Sequence, residues 1–274
     1  MQIDDTISVT TVARLAATLD LDRPAPRNGD VLPLGWHGAF CIPTVATSEL
    51  GADGIAPALE DPALGAGFPR RVFGGARITQ HAPLHVGDDV RCSSEVVSTA
   101  RRSGASGEMV VLVLRHTYAA GGTPCIEEEQ DIVHLPPASG PSPLPPGKPA
   151  PSDPVVSELV TPSSTLLFRF SALTFNTHRI HYDAPYATGV EGLPGLMVQG
   201  KLQALLALGL LDKCCAGERV RRFVYRSFRP IFAGGSFSVA GGPRLRDGTM
   251  PVWTADADGY IALSATAEFD ALAR

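Results

Sequence analysis

The sequence predicts an α+β fold in which antiparallel sheet curves around a buried helix, and three observations carry that prediction. Most of the chain reads as short β-rich stretches punctuated by glycine turns. One long segment, residues 198–214, is apolar on nearly every face, as a helix enclosed on all sides must be. The same order of elements also occurs twice, on either side of a proline-rich stretch, so the sheet is expected to contain two diverged copies of one unit.

Along the chain, residues 11–19 place Val12, Leu15, Ala16 and Leu19 at helical spacing and are expected to form a first helix. Arg77-Ile78-Thr79 then leads through a turn at Gly87 into a strand over 91–97, and 109–118 and 130–135 are two further strands. Residues 136–154 contain nine prolines in nineteen positions. Proline fixes φ and has no N–H to donate, so this seam is expected to run as an extended polyproline-type connector that joins no ladder and continues no helix. It divides the chain into a first domain 1–135, a linker 136–154 and a second domain 155–274. In the second domain Arg226-Ser227-Phe228, a turn at Gly234-Gly235 and a strand-like stretch after Phe237 repeat the strand, turn, strand order of the first. Strands at 251–255 and 261–269 follow, and the alternation from Ile261 to Ala267 suits one buried face.

The chain has 274 residues with 23 Lys and Arg against 28 Asp and Glu; charged residues make up 19% and hydrophobic ones 44%. That balance excludes a disordered charged tail and a dedicated nucleic-acid binder with a large positive field. Five cysteines, 41, 92, 125, 214 and 215, form no CxxC pair, which points to a reducing compartment rather than a disulfide framework or zinc site. Met1-Gln2-Ile3-Asp4-Asp5 lacks the layout of a signal peptide. The apolar run 202–211 is interrupted by Gln203 and Gly209 and is too short to cross a bilayer. The expectation is a soluble, cytoplasmic protein.

Chemistry concentrates in residues 168–187, FRFSALTFNTHRIHYDAPYA, where Asn176, His178, Arg179, His181, Tyr182 and Asp183 fall within eight positions. The stretch Gly195-Leu-Met-Val-Gln-Gly200 follows and opens the buried helix. A helix start presents free N–H groups and partial positive charge, so it can hold an anion or a developing oxyanion. His178 and His181 have the spacing of metal ligands on a helix, but Pro185 argues against a helix there and no further ligand stands at matching spacing; no metal is expected. A polar loop of this kind is also ordinary solvated surface, so the residues alone leave both uses open.

SALTFNTHRIHYDAPYA followed by PGLMVQGKLQALL resembles the second half of the MaoC-like hydratase/dehydratase family. The likeness is nearest to the type 2 hydroxyacyl-thioester dehydratases and the mesaconyl-C4-CoA and itaconyl-CoA hydratases. GGARITQHAPLHVGDDV and CIEEEQDIVHL are similar to the degenerate N-terminal domain of that group. The resemblance implies a double hot-dog, two curved antiparallel sheets each wrapped around a central helix and joined into one. It implies a hydro-lyase that adds water to an α,β-unsaturated acyl thioester, or removes it. The substrate would be an acyl-CoA and no cofactor is needed beyond that CoA. No nucleic-acid or membrane partner is implied, and a homo-oligomer is left open.

By the family's pattern His181 and Asp183 match its last His and Asp, while Asn176 stands where the family carries a catalytic Asp. His178 and Arg179 replace an Asn and a Pro. The resemblance thus makes His181 the general acid/base. An Asn cannot accept a proton at neutral pH but can orient a water, which is the role expected of Asn176. His178 is a candidate second acid/base or substrate contact, with packing as the alternative; Arg179 either binds a substrate carboxylate or is plain surface; and Asp183 is expected as a loop-fixing residue. Gly195 and Gly200 would let substrate approach the backbone, with N–H groups near Gly200 serving the thioester oxygen. Gln199 stands where relatives often carry His. Arg219, Arg221, Arg222, Arg226 and Arg229 are unassigned candidates for CoA phosphates, and Trp36, His37 and His81 either border the acyl pocket or pack the core. Two rival functions remain at this level. A hot-dog thioesterase is disfavoured because residues 198–211 contain no Asp or Glu; a non-catalytic acyl-CoA-binding protein is the other.

Overall fold

The computed structural model describes residues 1–56, 67–104, 107–137, 144 and 146–270. The chain opens with β1 (Gln2–Thr6) and α1 (Val9–Thr18). Ser8 caps α1 by accepting the Thr11 N–H, and its apolar stripe buries Val12 and Leu15. Short 3-10 turns at Trp36–Ala39 and Thr47–Glu49 precede β2 (Arg70–Gln80), β3 (Asp89–Gly104), β4 (Gly107–Ala120) and β5 (Thr123–Leu135). The second half runs β6 (Val156–Val160), α2 (Ser164–Leu173), α3 (Ala184–Gly189), α4 (Gly200–Cys214), β7 (Val220–Ser227), β8 (Phe237–Gly241), β9 (Thr249–Ala255) and β10 (Ile261–Phe269).

All ten strands form one antiparallel sheet in the order β1-β3-β4-β5-β2-β7-β10-β9-β8-β6. Read outward from the central β2–β7 pair, the halves run β2-β5-β4-β3-β1 and β7-β10-β9-β8-β6. Each second-half strand is the counterpart of the one five places earlier, and β1–α1 is answered by β6–α2. The internal repeat read from the sequence is thus a repeat of topology. At the joint Gly75 pairs with Arg226 and Thr79 with Arg222. Gly75 has φ 151°, and a Cβ there would lie 2.3 Å from the Tyr225 carbonyl oxygen, so only glycine lets the two halves close.

Helix α4 lies against β6, β8, β9 and β10 and buries Leu202, Leu205, Leu208, Leu210 and Leu211. Its one interior polar side chain, Gln203, accepts a 2.7 Å hydrogen bond from the Thr254 hydroxyl. In the first half, α1 is the longest helix among the described residues. Strand alternation sorts the acidic run of β5. Glu128 and Gln130 face inward, whereas Glu129 and Asp131 face outward, where Arg77 binds both.

Several expectations require correction. The segment 168–187 is not one loop: Phe168 to Leu173 belong to α2, capped by the Ser163 side chain, and Ala184 opens α3. Pro185 stands in the first turn of α3, where its missing N–H has no intrahelical partner to lose, and Asp183 caps that turn. The long helix begins at Gly200 rather than 198 because residues 197 and 198 pair with Phe232 and Ile231. The proline seam does touch the sheet. Pro149 lies opposite Tyr260, and the bonding groups come from its neighbours: Ala150 N–H reaches Gly259 O and Ile261 N–H reaches Lys148 O. Residues 138–143 and 145 of the expected polyproline connector lie outside the described residues. Among the described residues no helix is long and apolar enough to cross a membrane.

Candidate active site

The polar loop is aimed by a turn that begins where α2 ends. Phe175 takes the left-handed conformation at φ 49°, costly for a bulky side chain, and the Asn176 N–H closes the turn on Ser171 O at 2.8 Å. The Asn176 side-chain oxygen accepts the His178 N–H at 3.2 Å, so this side chain shapes the loop with one end and keeps its amide NH₂ for another partner. The first half grips the same loop: the Thr177 hydroxyl donates to Gly54 O and the Arg179 N–H to Asp53 O.

Arg179 is committed within the loop. Nε and Nη2 both donate to Asp183 Oδ2, Nη1 donates to Ala52 O, and the guanidinium lies 4.1 Å from the Tyr186 ring centroid. A substrate carboxylate would have to displace Asp183 to reach it. Asp183 also accepts the Tyr186 N–H, and these bonds hold its carboxyl below the usual range. Geometrically it is a clasp.

His181 is turned inward from a 3-10 turn and is buried. Its Nδ1 lies 2.7 Å from Met197 O, and because a carbonyl only accepts, Nδ1 carries the proton. Met197 N–H in turn donates to Ile180 O at 2.9 Å, so loop and helix approach are laced together. Nε2 has no hydrogen-bond partner among the described residues and keeps its lone pair. Burial pushes the imidazole down to about 4, against the Met197 bond, which acts the other way. The His178 ring stands edge-on to it with centroids 5.6 Å apart. Burial, then the charges of His181 and Arg71, push His178 down to about 3. Both rings are therefore neutral at pH 7.

Met197 is three residues from Gly200, the first residue of α4. The N-cap of α4, Gln199, makes no side-chain capping bond, in contrast to Ser8, Ser163 and Asp183 at the other helices. The first intrahelical N–H bond at this end is Gln203 to Gln199, which leaves the N–H groups of Gly200, Lys201 and Leu202 for a ligand. Gly200 sits in close quarters: a Cβ would stand 3.2 Å from Ser227 Oγ and 3.4 Å from Phe73. Gly195 has open space around it, so nothing within the chain demands glycine there. The buried Gln199 amide donates to Leu167 O and Ser171 Oγ, tying α2 to the start of α4.

Three residues that the motif reading passed over or left undecided meet beside this site. Lys201 occupies the first turn of α4, and His37 Nε2 lies 3.1 Å from Glu128 Oε2 with both side chains almost wholly buried. All three line one narrow cleft whose other walls are apolar and come from both halves, among them Trp36, Ile78, Phe170, Leu205 and Tyr225. Burial alone would push the Glu128 carboxyl up, but the Lys201 charge and the His37 bond outweigh it and hold it well below its usual range. The available signal was a lysine at the start of an apolar helix, where the helix dipole disfavours a cation. Among the described residues no three His, Cys, Asp or Glu side chains cluster as metal ligands would.

The model of the hydroxyacyl-thioester dehydratase type 2 family matches residues 35–233. The chain is 37% identical to the mesaconyl-C(4)-CoA hydratase of Chloroflexus aurantiacus, over 97% of this chain and 94% of that protein. A MaoC-like dehydratase from Phytophthora capsici superposes with a TM-score of 0.71 at 14% identity, covering 100% of this chain and 96% of the other. A Mycobacterium tuberculosis protein solved as a double hot-dog fold gives a TM-score of 0.56 at 14% identity over 97% and 93%. The two halves of the ten-stranded sheet are accordingly two hot-dog units.

Proposed function

This chain belongs to the hydroxyacyl-thioester dehydratase type 2 family, and from that premise we propose how its residues carry out the hydration or dehydration of an acyl-CoA. In the hydration direction, His181 Nε2 takes a proton from water as the water oxygen bonds to the β-carbon of the enoyl thioester. The π electrons move to the thioester oxygen, where N–H groups at the start of α4, at Gly200 and Lys201, meet the developing charge. The imidazolium then returns its proton to the α-carbon, the oxyanion collapses, and one water has been added. Asn176 orients the water through its side-chain NH₂, and His178 keeps the site dry and crowds His181 toward it. Gly195 leaves room for the pantetheine approach. The reaction as proposed needs no cofactor beyond the CoA carried by the substrate. The five unpaired cysteines support a cytoplasmic setting.

The observation that carries this reading is the 2.7 Å bond from His181 Nδ1 to Met197 O. It sets the tautomer, leaves Nε2 free and anchors the ring at the approach to an uncapped helix. The depressed basicity of His181 suits the second step: an imidazolium that burial disfavours gives up its proton readily.

The test is to incubate the protein with mesaconyl-C4-, itaconyl- and crotonyl-CoA and follow the enoyl-thioester absorbance. We expect loss of absorbance without release of free thiol, and a fall of ~10²–10⁴-fold in His181→Ala, the range for a general acid/base. Thiol release would instead mark a thioesterase, and binding without turnover a scaffold; either would overturn the reading.

A further inference from the structure

The side chain that opens α4 is only half used by the chemistry above. Gln199 is 2% exposed, and its Nε2 donates to Leu167 O and to Ser171 Oγ, each at 3.0 Å. A carbonyl oxygen only accepts, so the amide nitrogen must face α2 and the orientation of the side chain is fixed. Its Oε1 is held on the other edge of the amide, buried, with no hydrogen-bond partner among the described residues. An acceptor shut away from solvent without a donor is unfavourable, and an apolar side chain of the same size would avoid that cost. The neighbours of Gln199 are the anchors of the reacting groups. Two residues earlier in the chain, Met197 O lies 2.7 Å from His181 Nδ1. On the side of α2, Ser171 accepts Gln199 through its hydroxyl and the Asn176 N–H through its carbonyl, at 2.8 Å. The orphaned oxygen thus belongs to a side chain braced between the residue that holds His181 and the residue that holds Asn176.

We infer that Gln199 is a positioning residue for the reacting water: its Oε1 accepts the hydrogen that His181 does not take. The inference rests on the reading of the chain as an acyl-CoA hydratase/dehydratase and completes the water site of that reading. Water has two hydrogens and two lone pairs. One hydrogen goes to His181 Nε2, one lone pair accepts the Asn176 NH₂, and the other lone pair forms the bond to the β-carbon. That leaves one hydrogen without an acceptor, beside a buried acceptor without a donor. With Gln199 in place all four directions at the oxygen are set, and the attacking lone pair is aimed. Gln199 neither gains nor loses a proton. The hydrogen it holds stays on the oxygen and becomes the hydroxyl hydrogen of the product; in the dehydration direction the same bond holds the leaving hydroxyl. Because Oε1 meets the water and not the acyl-CoA, its removal should lower kcat and leave substrate binding alone.

The test separates the acceptor from the tie to α2. Turnover of mesaconyl-C4-, itaconyl- and crotonyl-CoA by the full chain is followed by absorbance, and binding of saturated butyryl-CoA, which needs no water, by calorimetry. Gln199→Met removes the acceptor, and kcat should fall ~10–10²-fold, the scale of a misplaced reactant. KM and the affinity for butyryl-CoA should stay within about three-fold, since ground-state binding is untouched. Gln199→His should restore most of kcat, because a neutral imidazole can donate toward α2 with one nitrogen and accept with the other. Ser171→Ala loosens the amide but leaves Leu167 O to hold it, so it should cost far less than Gln199→Met. Thermal unfolding shows which variants fold. Should Gln199→Met not fold, the double variant Gln199→Met/Ser171→Ala takes its place, since replacing both partners of a buried hydrogen bond by apolar groups leaves neither orphaned. A folded acceptor-less variant with kcat within two-fold of wild type, a loss that falls on KM alone, or an equal loss in Ser171→Ala would overturn the assignment. Failure of the two readings is told apart by the wild type. If it turns over none of the three thioesters, the hydratase reading falls and takes this inference with it; an active wild type with an equally active Gln199→Met removes this inference alone.

Discussion

At the scale of single residues, burial of imidazole has a consequence that can be measured. His181 and His178 ionise near 4 and 3 in the folded protein, and buried His116 near 4, against 6.5 for the unperturbed side chain. The unfolded chain therefore takes up protons first as pH falls. The contribution of these rings to stability is complete above about pH 6.5 and is lost progressively toward pH 4. The denaturant midpoint should accordingly be lower at pH 5 than at pH 7.5, and His178→Gln/His181→Gln should flatten that slope; an unchanged slope would show that the rings are solvated. Activity has the matching signature. With neutral His181 as the proposed base, the acid limb of kcat/KM should sit nearer 4 than 6.5, traced in short assays with pre-equilibrated protein. The residues of this loop were legible in the sequence because they are neighbours in the chain: Asn176, His178 and His181 lie on one turn whatever the rest of the fold does. The tautomer of His181 was not, since it depends on a carbonyl sixteen residues away.

At the scale of elements, the start of α4 is where strand, helix and loop converge. Gly200→Ala adds a methyl that must push against Ser227 Oγ and Phe73. The helix itself loses nothing, because alanine is the better helix former by up to ~1 kcal/mol. We expect thermal stability within about 1 kcal/mol of wild type and a fall in kcat on the order of 10–10²-fold, as misplaced oxyanion donors produce. A variant with full activity would remove Gly200 from the site. The helix was readable from its composition, and so was its burial. The sequence reading missed α2 and α3 for two reasons. The apolar lead-in to the loop, Phe168 to Leu173, has a broad apolar surface without a sharp stripe, and Pro185 reads as a breaker unless it falls in a first turn. The serine at 163 and the aspartate at 183 were the cap signals that would have marked them.

For the whole molecule, the decisive contact is the β2–β7 pairing that makes one sheet of two hot-dogs. Gly75→Ala places a methyl against the Tyr225 carbonyl, backbone that cannot rotate away. The joint should open, lowering stability by at least ~1 kcal/mol and lowering activity with it, because the cavity takes walls from both halves. Thermal unfolding with parallel kinetics checks this, and a stable, active variant would show that the halves do not depend on that register. The repeat was visible in the sequence as a common order of strands and turns, although few positions match.

By itself the sequence determined the periodicities: which stretches alternate, which segment is apolar all round, where proline interrupts, and that one loop carries two histidines ahead of a helix. These are properties of residues within a few positions of one another, and local sterics and hydrophobic pattern decide them. Only the tertiary structure decided which of three consecutive glutamates faces inward, that His37 meets it 91 residues away, and that Lys201 completes their cavity from the other half of the chain. The physical reason is that such meetings are set by strand register and by the closing of two sheets at one pair of strands. A shift of a single residue would turn Glu128 to the outer face and disperse the group.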